Sequence, residues 1–327
     1  MPREYLRDYL SVDDLSSAEL LHLLDVADAL KADRTLHRNA LAGLSIALLF
    51  EKASTRTRVS FEVGIGQLGG RPLTLSGSDL QLGRGETIED TGRVLSRYVD
   101  AIVLRTFEHE RLEALAEAAT VPVINSLSDF EHPCQALADL MTIREHLGAL
   151  NRKILTYVGD GNNVAHSLLL AGAKTGMTVR IAAPTGFEPI PQVVQRASEI
   201  AEETGGAIET LPDPQTAVKG AHVLYTDVWA SMGQEGDADA RALVLRPYQV
   251  NQALLELADP SAIVMHCLPA HRGQEITDEV IDGPRAAVWD QAEDRLHSQK
   301  ALLLLLFDLA LGRGPVCPAP TTTWRAY

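Results

Sequence analysis

Short apolar runs recur along this chain, each followed closely by a stretch of helical periodicity, and this alternation limits the fold more than any other feature. The runs include "LSIALLF" (44–50), "AIVLRT" (101–106), "VPVINS" (121–126), "KILTYV" (153–158), "HVLYTDVW" (222–229) and "AIVMHCLP" (262–269). A strand that is apolar on both faces, rather than alternating, belongs in a parallel sheet covered on each side by helices. The intervening segments supply those helices. Ser16 and Glu19 make an S-x-x-E capping box ahead of Leu20, Leu23, Leu24, Ala27 and Leu30, which share one helical face. "RPLTLS" (71–76) is a further strand candidate, followed by the polar, glycine-containing loop "GSDLQLGRGE" (77–86) and a helix from about Thr87. "ERLEALAEAA" (110–119) reads as a helix, and "HPCQALADLMTIREHLGAL" (132–150) as one long helix with Pro133 in its first turn.

A second series of strand, turn, helix and strand begins with "KILTYVGDGNNVAHSLLLAGAKTGMTVRIAAP" at Lys153. The length of 327 residues accommodates about two domains, each with its own core. The expected architecture is α/β: two doubly wound parallel-sheet domains joined by the long helix. Their expected extents are 1–149 and 150–296, with a C-terminal helix and tail over 297–327 and that helix packing back on the first domain.

Charge and cysteine content narrow the function classes. A formal net charge of −15 argues against a general nucleic-acid binder, which needs a basic face to release counterions. It leaves room for a locally positive cleft that takes an anion. Cys134, Cys267 and Cys317 make no disulfide framework, which suits a reducing compartment. "MPREYLRDYLSVDD" at the N-terminus lacks the apolar core of a signal peptide. The longest apolar run, "ALLLLLFDLALG" from Ala301, is too short to cross a bilayer and carries Asp308. The expected location is the cytoplasm, with no membrane partner.

The chemistry concentrates at strand ends. In "LFEKASTRTRVSF" (49–61) an apolar strand runs straight into Ser54, Thr55, Arg56, Thr57 and Arg58 at a helix start. Backbone N–H groups and the positive end of the helix dipole make that position a natural anion site. Arg56 and Arg58, two residues apart, diverge on a helix, so one clamps an anion while the other pairs with an acid such as Glu51 or Glu62. The alternative is a capped helix with solvated arginines. Arg105 ends another strand, at the edge where open α/β sheets bind ligands. His132 and Gln135 flank a helix start; an imidazole donor and an amide there suit a neutral planar group, or else they are simple caps.

Two other patterns point elsewhere. "VGDGNN" suggests a nucleotide loop, but Val164 stands where the third glycine of G-x-G-x-x-G belongs, and "VRIAAP" ends without the acid that holds a ribose. A dinucleotide-dependent oxidoreductase is therefore only a fold-level rival. The Asn162–Asn163 turn suits a carboxylate or an amine instead. Cys267, His266 and His271 suggest a zinc set, but a fourth closing ligand is missing. Neither a metal nor an organic cofactor is expected.

Taken together and in order, "STRTR", "HPCQ", "DVWASMG" and "HCLPAHRG" resemble the aspartate/ornithine carbamoyltransferase superfamily, and the last two resemble its ornithine branch. The resemblance spans most of the chain. It implies transfer of a carbamoyl group from carbamoyl phosphate to the δ-amino group of L-ornithine, with the first domain holding carbamoyl phosphate and the second holding ornithine. By that resemblance Ser54, Thr55, Arg56 and Thr57 would hold the phosphate, and Gln81 would reach it from its loop. Arg105, His132 and Thr57 would face the carbonyl oxygen, while Gln135 and the Leu268 backbone would hold the carbamoyl nitrogen. Asn163, Asp227, Ser231 and Met232 would fix the amino-acid end of ornithine. Cys267 and Asp227 would lie near its δ-amino group, and Arg295 would close on carbamoyl phosphate. The resemblance also implies a homotrimer, or a multiple of trimers, with active sites shared between subunits. A carbamoyltransferase for another amine, such as putrescine, and a non-catalytic ligand-binding relative are the remaining alternatives.

Overall fold

The computed structural model describes residues 8–77, 85–230 and 235–307. By internal contacts the chain forms two compact units: residues 1–137 together with 295–327, and residues 138–294. The sequence reading places a boundary near Leu150, whereas the contact division falls inside a helix, between Leu137 and Ala138.

In the first unit, α1 (Ser17–Ala32) is capped by the predicted box. Glu19 N–H donates to the Ser16 hydroxyl at 3.2 Å, and Ser16 N–H donates to the Glu19 carboxylate at 2.8 Å. Leu20, Leu23, Leu24, Ala27 and Leu30 are its buried residues, the face expected from their spacing. The unit continues with β1 (Ser45–Phe50), α2 (Thr55–Gln67), β2 (Arg71–Ser76), α3 (Ile88–Leu95), β3 (Ala101–Arg105), α4 (His109–Ala118) and β4 (Val123–Leu127). The four strands are parallel, in the order β2-β1-β3-β4. β1 and β3 are central and buried on both faces. β2 lies at the edge, the place where Pro72 removes no ladder hydrogen bond from a neighbour. Helices α3 and α4 cover one face through Ile88, Leu112, Leu115 and Ala116, packed with Ile102 and Leu104.

The helix α5 (Pro133–Leu147) starts in the first unit and ends in the second. The second unit then builds β5 (Ile154–Val158), α6 (Asn163–Lys174), β6 (Thr178–Ala182), α7 (Pro191–Thr204), β7 (Ala207–Leu211), α8 (Pro214–Val218) and β8 (Val223–Thr226). After these come α9 (Ala238–Leu245), α10 (Gln252–Leu255), β9 (Ile263–His266) and α11 (Asp278–Ile281). Its five parallel strands run β7-β6-β5-β8-β9. α6 is buried from Val164 to Lys174, and Gly172 lets it approach the sheet: a Cβ there would meet Val179 Cγ2 at 2.3 Å. The last helix, α12 (Val288–Leu306), begins ahead of Leu296 and returns the chain to the first unit from Arg295 onward. There Lys300 donates to Gln67 Oε1 at 3.1 Å, and Gly64 of α2 leaves room for Leu296 and the Lys300 stem. The C-terminal helix thus packs back on the first unit, as expected.

Each sheet has one point where the winding reverses. In the first, β2 lies on one side of β1 and β3 on the other; in the second, β6 and β8 flank β5 in the same way. Ligands of open α/β sheets bind at the strands' carboxyl ends beside such a reversal, because the loops there leave in opposite directions and open a crevice.

Candidate active site

The first unit places its chemistry at the β1/β3 reversal. β1 ends at Phe50, and Ser54 caps α2 by accepting from Thr57 N–H at 3.3 Å. Arg56 and Arg58 diverge as the helical geometry requires: Arg58, half-exposed, donates to Glu62 at 3.1 Å, while Arg56 is partly buried. Thr57 is fully buried, and its hydroxyl accepts from Arg295 Nη2 of α12 at 2.6 Å. Arg105 closes β3, where the register with β4 shifts between Leu104 and Arg105. Such an irregularity re-aims the last side chain of a strand.

His132 and Gln135 are both buried at the start of α5. Burial first, then the positive charges of Arg295, Arg105 and Arg56, hold the His132 imidazole well below its ordinary range. It is a neutral ring among three guanidiniums. The cluster is locally cationic on an acidic chain, which suits a small dianion. Cys134, within the same "HPCQ" stretch, donates to Asn125 O at 3.3 Å, and burial pushes its thiol up to about 12. A thiol held protonated in this way is an inert packing group rather than a nucleophile.

Glu51 and Lys52, which follow β1 directly, fix this arrangement. Glu51 binds Arg111 at 2.6 Å, accepts from the Thr106 hydroxyl, and its own N–H donates to Arg105 O at 2.9 Å. Lys52, buried, pairs with Asp129 and lies 4.1 Å from the centre of the Phe107 ring. The ends of β1, β3 and β4 are thereby tied together. A cavity of about 660 Å³ opens at the ends of β1 and β2, lined in part by Lys52, Ser54, Thr55, Arg58, Thr74 and Ser76; Arg56, Arg105, His132, Gln135 and Arg295 are not among its lining residues.

The second unit places its chemistry at the β5/β8 reversal. Asn162 caps α6, its Oδ1 accepting from Val164 N–H at 2.9 Å and Ala165 N–H at 3.3 Å. Its Nδ2 donates to Asp227 Oδ2 at 2.8 Å, and the Cys267 thiol donates to Asp227 Oδ1 at 2.9 Å. Asp227 is buried just past β8, Cys267 half-buried just past β9, and Asn163 half-buried as the first residue of α6. Leu268 takes a left-handed backbone, φ +58°. That conformation costs a non-glycine residue about 1–2 kcal/mol. It is held by a buried relay: Leu268 N–H donates to His266 Nδ1 at 2.8 Å, so the ring proton sits on Nε2, 3.1 Å from the Glu275 carboxylate.

The site residues from the sequence therefore gather into two sets, each within one unit. Ser54, Thr55, Arg56, Thr57, Arg105, His132, Gln135 and Arg295 belong to the first; Asn163, Asp227, Cys267 and Leu268 belong to the second. Gln81, Ser231 and Met232 lie outside the described residues. Asn162 was legible only as part of a polar turn; its N-cap position was the available signal. Among the described residues, the donors that come within 4.8 Å of one another are Asp227, His266 and Cys267 rather than a set with His271. Both His266 nitrogens and the Cys267 thiol are already engaged in hydrogen bonds, so this is a polar network in its own right.

Comparison with known proteins bears on the same two units. Residues 7–145 match the family described as aspartate/ornithine carbamoyltransferase, carbamoyl-P binding domain, and residues 151–306 match its Asp/Orn binding domain. An ornithine carbamoyltransferase of Parafrankia sp. (strain EAN1pec) is 60% identical over 305 residues, covering 92% of this chain and 96% of that protein. An anabolic ornithine carbamoyltransferase of Pyrococcus furiosus is 55% identical over 303 residues, covering 92% of this chain and 96% of that protein. The solved structure of ornithine carbamoyltransferase from Pyrococcus furiosus superposes with a TM-score of 0.89 at 54% identity, over 93% of this chain and 98% of that one. With both family domains matched in order and relatives this similar along nearly the whole length, the chain belongs to the ornithine carbamoyltransferases of the aspartate/ornithine carbamoyltransferase family.

Proposed function

We propose that this chain transfers the carbamoyl group of carbamoyl phosphate to the δ-amino nitrogen of L-ornithine, giving L-citrulline and phosphate, as in arginine synthesis. The observation that carries the reading is the cluster of Arg56, Arg105 and Arg295 around the neutral, buried His132 at the end of a reversing sheet. The neutral amine attacks the carbonyl carbon, a C–N bond forms, and the C–O bond to phosphate breaks with its electron pair leaving on phosphate, which takes up the proton that the amine nitrogen sheds. Negative charge grows first on the carbonyl oxygen, where Arg105, His132 and the Thr57 hydroxyl stabilise it. Phosphate departs as an anion already held by Arg56 and the start of α2. Gln135 holds the carbamoyl nitrogen. Asn163, Asp227, Ser231 and Met232 hold the amino-acid end of ornithine, with Cys267 beside the reacting amine. A parallel assay with ornithine, putrescine and aspartate tests the reading. Citrulline from ornithine is expected; preference for putrescine, or no product from any amine, overturns it.

The acceptor must lose its proton to react. An alkylammonium lies roughly three pKa units above neutrality, so exposing the free amine costs about 4 kcal/mol. His132 is held neutral by burial and its cationic neighbours and stays so as pH rises, adding no limb of its own. The rate at limiting ornithine is therefore expected to rise with pH between about 6 and 8.5. A flat profile would contradict attack by the free amine.

The proposed assembly is a cytoplasmic homotrimer, with the loop that carries Gln81 completing a neighbour's site. No helix among the described residues is long and apolar enough to cross a membrane. α2 and the edge strand β2 leave Val59, Val63 and Leu73 exposed, an apolar surface that a second copy would cover. Mixing an inactive Arg56 variant with an inactive Gln81 variant tests the shared site. Random trimers should regain about a quarter of full activity, because each mixed ring has one intact pairing. No recovery in mixtures confirmed by native mass spectrometry rules out sharing.

A further inference from the structure

Arg241 of α9 makes contacts that the reaction as described does not call upon. Its guanidinium pairs with Asp160, its Nε donates to Trp229 O at 2.6 Å, and its Cζ lies over the Phe187 ring, 4.8 Å from the ring centre. These partners come from the loops that follow β5, β8 and β6 respectively. Arg241 and Asp160 are both largely buried, with side chains 17% and 14% exposed. Burial raises the Asp160 carboxyl to about 6 even with the guanidinium opposing it. Arg241 is thus the cation that keeps this buried group charged at neutral pH.

The loops it joins are the ones that carry the acceptor residues. Asp160 opens the turn whose Asn162 binds Asp227 and whose Asn163 begins α6. The turn is tight: Gly161 N–H donates to Phe187 O at 2.8 Å, and a Cβ at Gly161 would meet Pro189 N at 2.4 Å. Trp229 lies between Asp227 and Ser231 in the chain, and Arg241 grips its carbonyl.

We propose that Arg241 is a positioning residue for the amino-acid acceptor, its planar fork holding the Asp160–Asn163 turn and the Asp227–Trp229 segment in the one arrangement that captures ornithine. This rests on the placement of ornithine against Asn163 and Asp227. A planar guanidinium can bond two partners while stacking on a ring; an ammonium has no plane to stack, and a neutral amide no charge to offer Asp160. Small displacements of positioning loops cost large factors in turnover, and here they fall on the acceptor side alone.

The test compares Arg241→Gln, Arg241→Lys and Asn163→Ala, with ornithine KM from steady-state kinetics and carbamoyl phosphate affinity from calorimetry. In Arg241→Gln the ornithine KM is expected to rise about tenfold or more, with carbamoyl phosphate affinity within about twofold of the parent. Arg241→Lys, which keeps the charge, should fall between the two. If Arg241→Gln does not fold, Arg241→Lys carries the comparison, and a selective rise in ornithine KM is again required. Asp160→Asn added to Arg241→Gln should cost little more than Arg241→Gln alone, because the two act as one unit. Equal losses for both ligands would reduce Arg241 to a structural residue and overturn the proposal. An unchanged ornithine KM in the folded Arg241 variants, with Asn163→Ala impaired, does the same. Unchanged values in all of them would overturn the placement of ornithine itself.

Discussion

Replacement of Arg56 by alanine is expected to remove useful carbamoyl phosphate binding while leaving the fold intact. Arg56 is the second residue of α2, where its guanidinium adds to the helix dipole, and its charge is felt at the buried His132. Truncating one partner of a hydrogen-bonded charge pair costs about 2–5 kcal/mol, or roughly 30- to several-thousand-fold in affinity. The side chain is only partly buried, so its removal leaves no large cavity. Arg58→Ala is the matched control. That arginine is half-exposed and paired with Glu62 one turn along, an arrangement worth only about 0.3–0.5 kcal/mol. Calorimetry with carbamoyl phosphate should therefore separate two arginines that lie two residues apart. A loss below threefold in Arg56→Ala, or equal losses in both variants, would remove Arg56 from the phosphate clamp.

Asp227→Ala should produce the complementary defect. The Asp227 carboxylate is buried, and the donors seen on its two oxygens, the Asn162 amide and the Cys267 thiol, are both neutral. In the proposed reaction the ammonium of ornithine would supply a compensating positive charge. Loss of the pair is expected to lower kcat/KM for ornithine by about a thousandfold, within the range for a buried charge contact. Carbamoyl phosphate affinity should stay within about threefold. Asp227→Asn separates charge from hydrogen bonding. If the amide restores most of the activity, the carboxylate is serving as a hydrogen-bond acceptor and the ammonium assignment is wrong.

The local features of this protein were legible in its residues. The capping box at Ser16 and the buried face of α1 follow from spacing, because one turn of helix brings residues three and four apart together. The buried strands β1 and β3 follow from apolar runs, and the hydroxyl- and arginine-rich start of α2 follows from its position after β1. The divergence of Arg56 from Arg58 is helix geometry, and Glu62 was one of the two acids that the sequence offered. The other, Glu51, binds Arg111 instead, from a helix sixty residues further on. Spacing could not reveal that.

Residue patterning thus settles short-range matters: which segments form strands and helices, where they start, and which side chains sit at strand ends. Strand order was decided only in three dimensions. Apolar runs such as β1, β3, β5 and β8 read alike, and nothing local says that winding reverses at β1 and at β5. Yet the candidate site residues collect at the strand ends beside those reversals. Tertiary structure also brought Arg295 to Thr57 across 238 positions of sequence and Arg241 to Asp160 across 81. The physical reason is that periodicity encodes burial one element at a time. Which buried faces meet, and which charges they carry together, depends on packing between elements far apart in the chain.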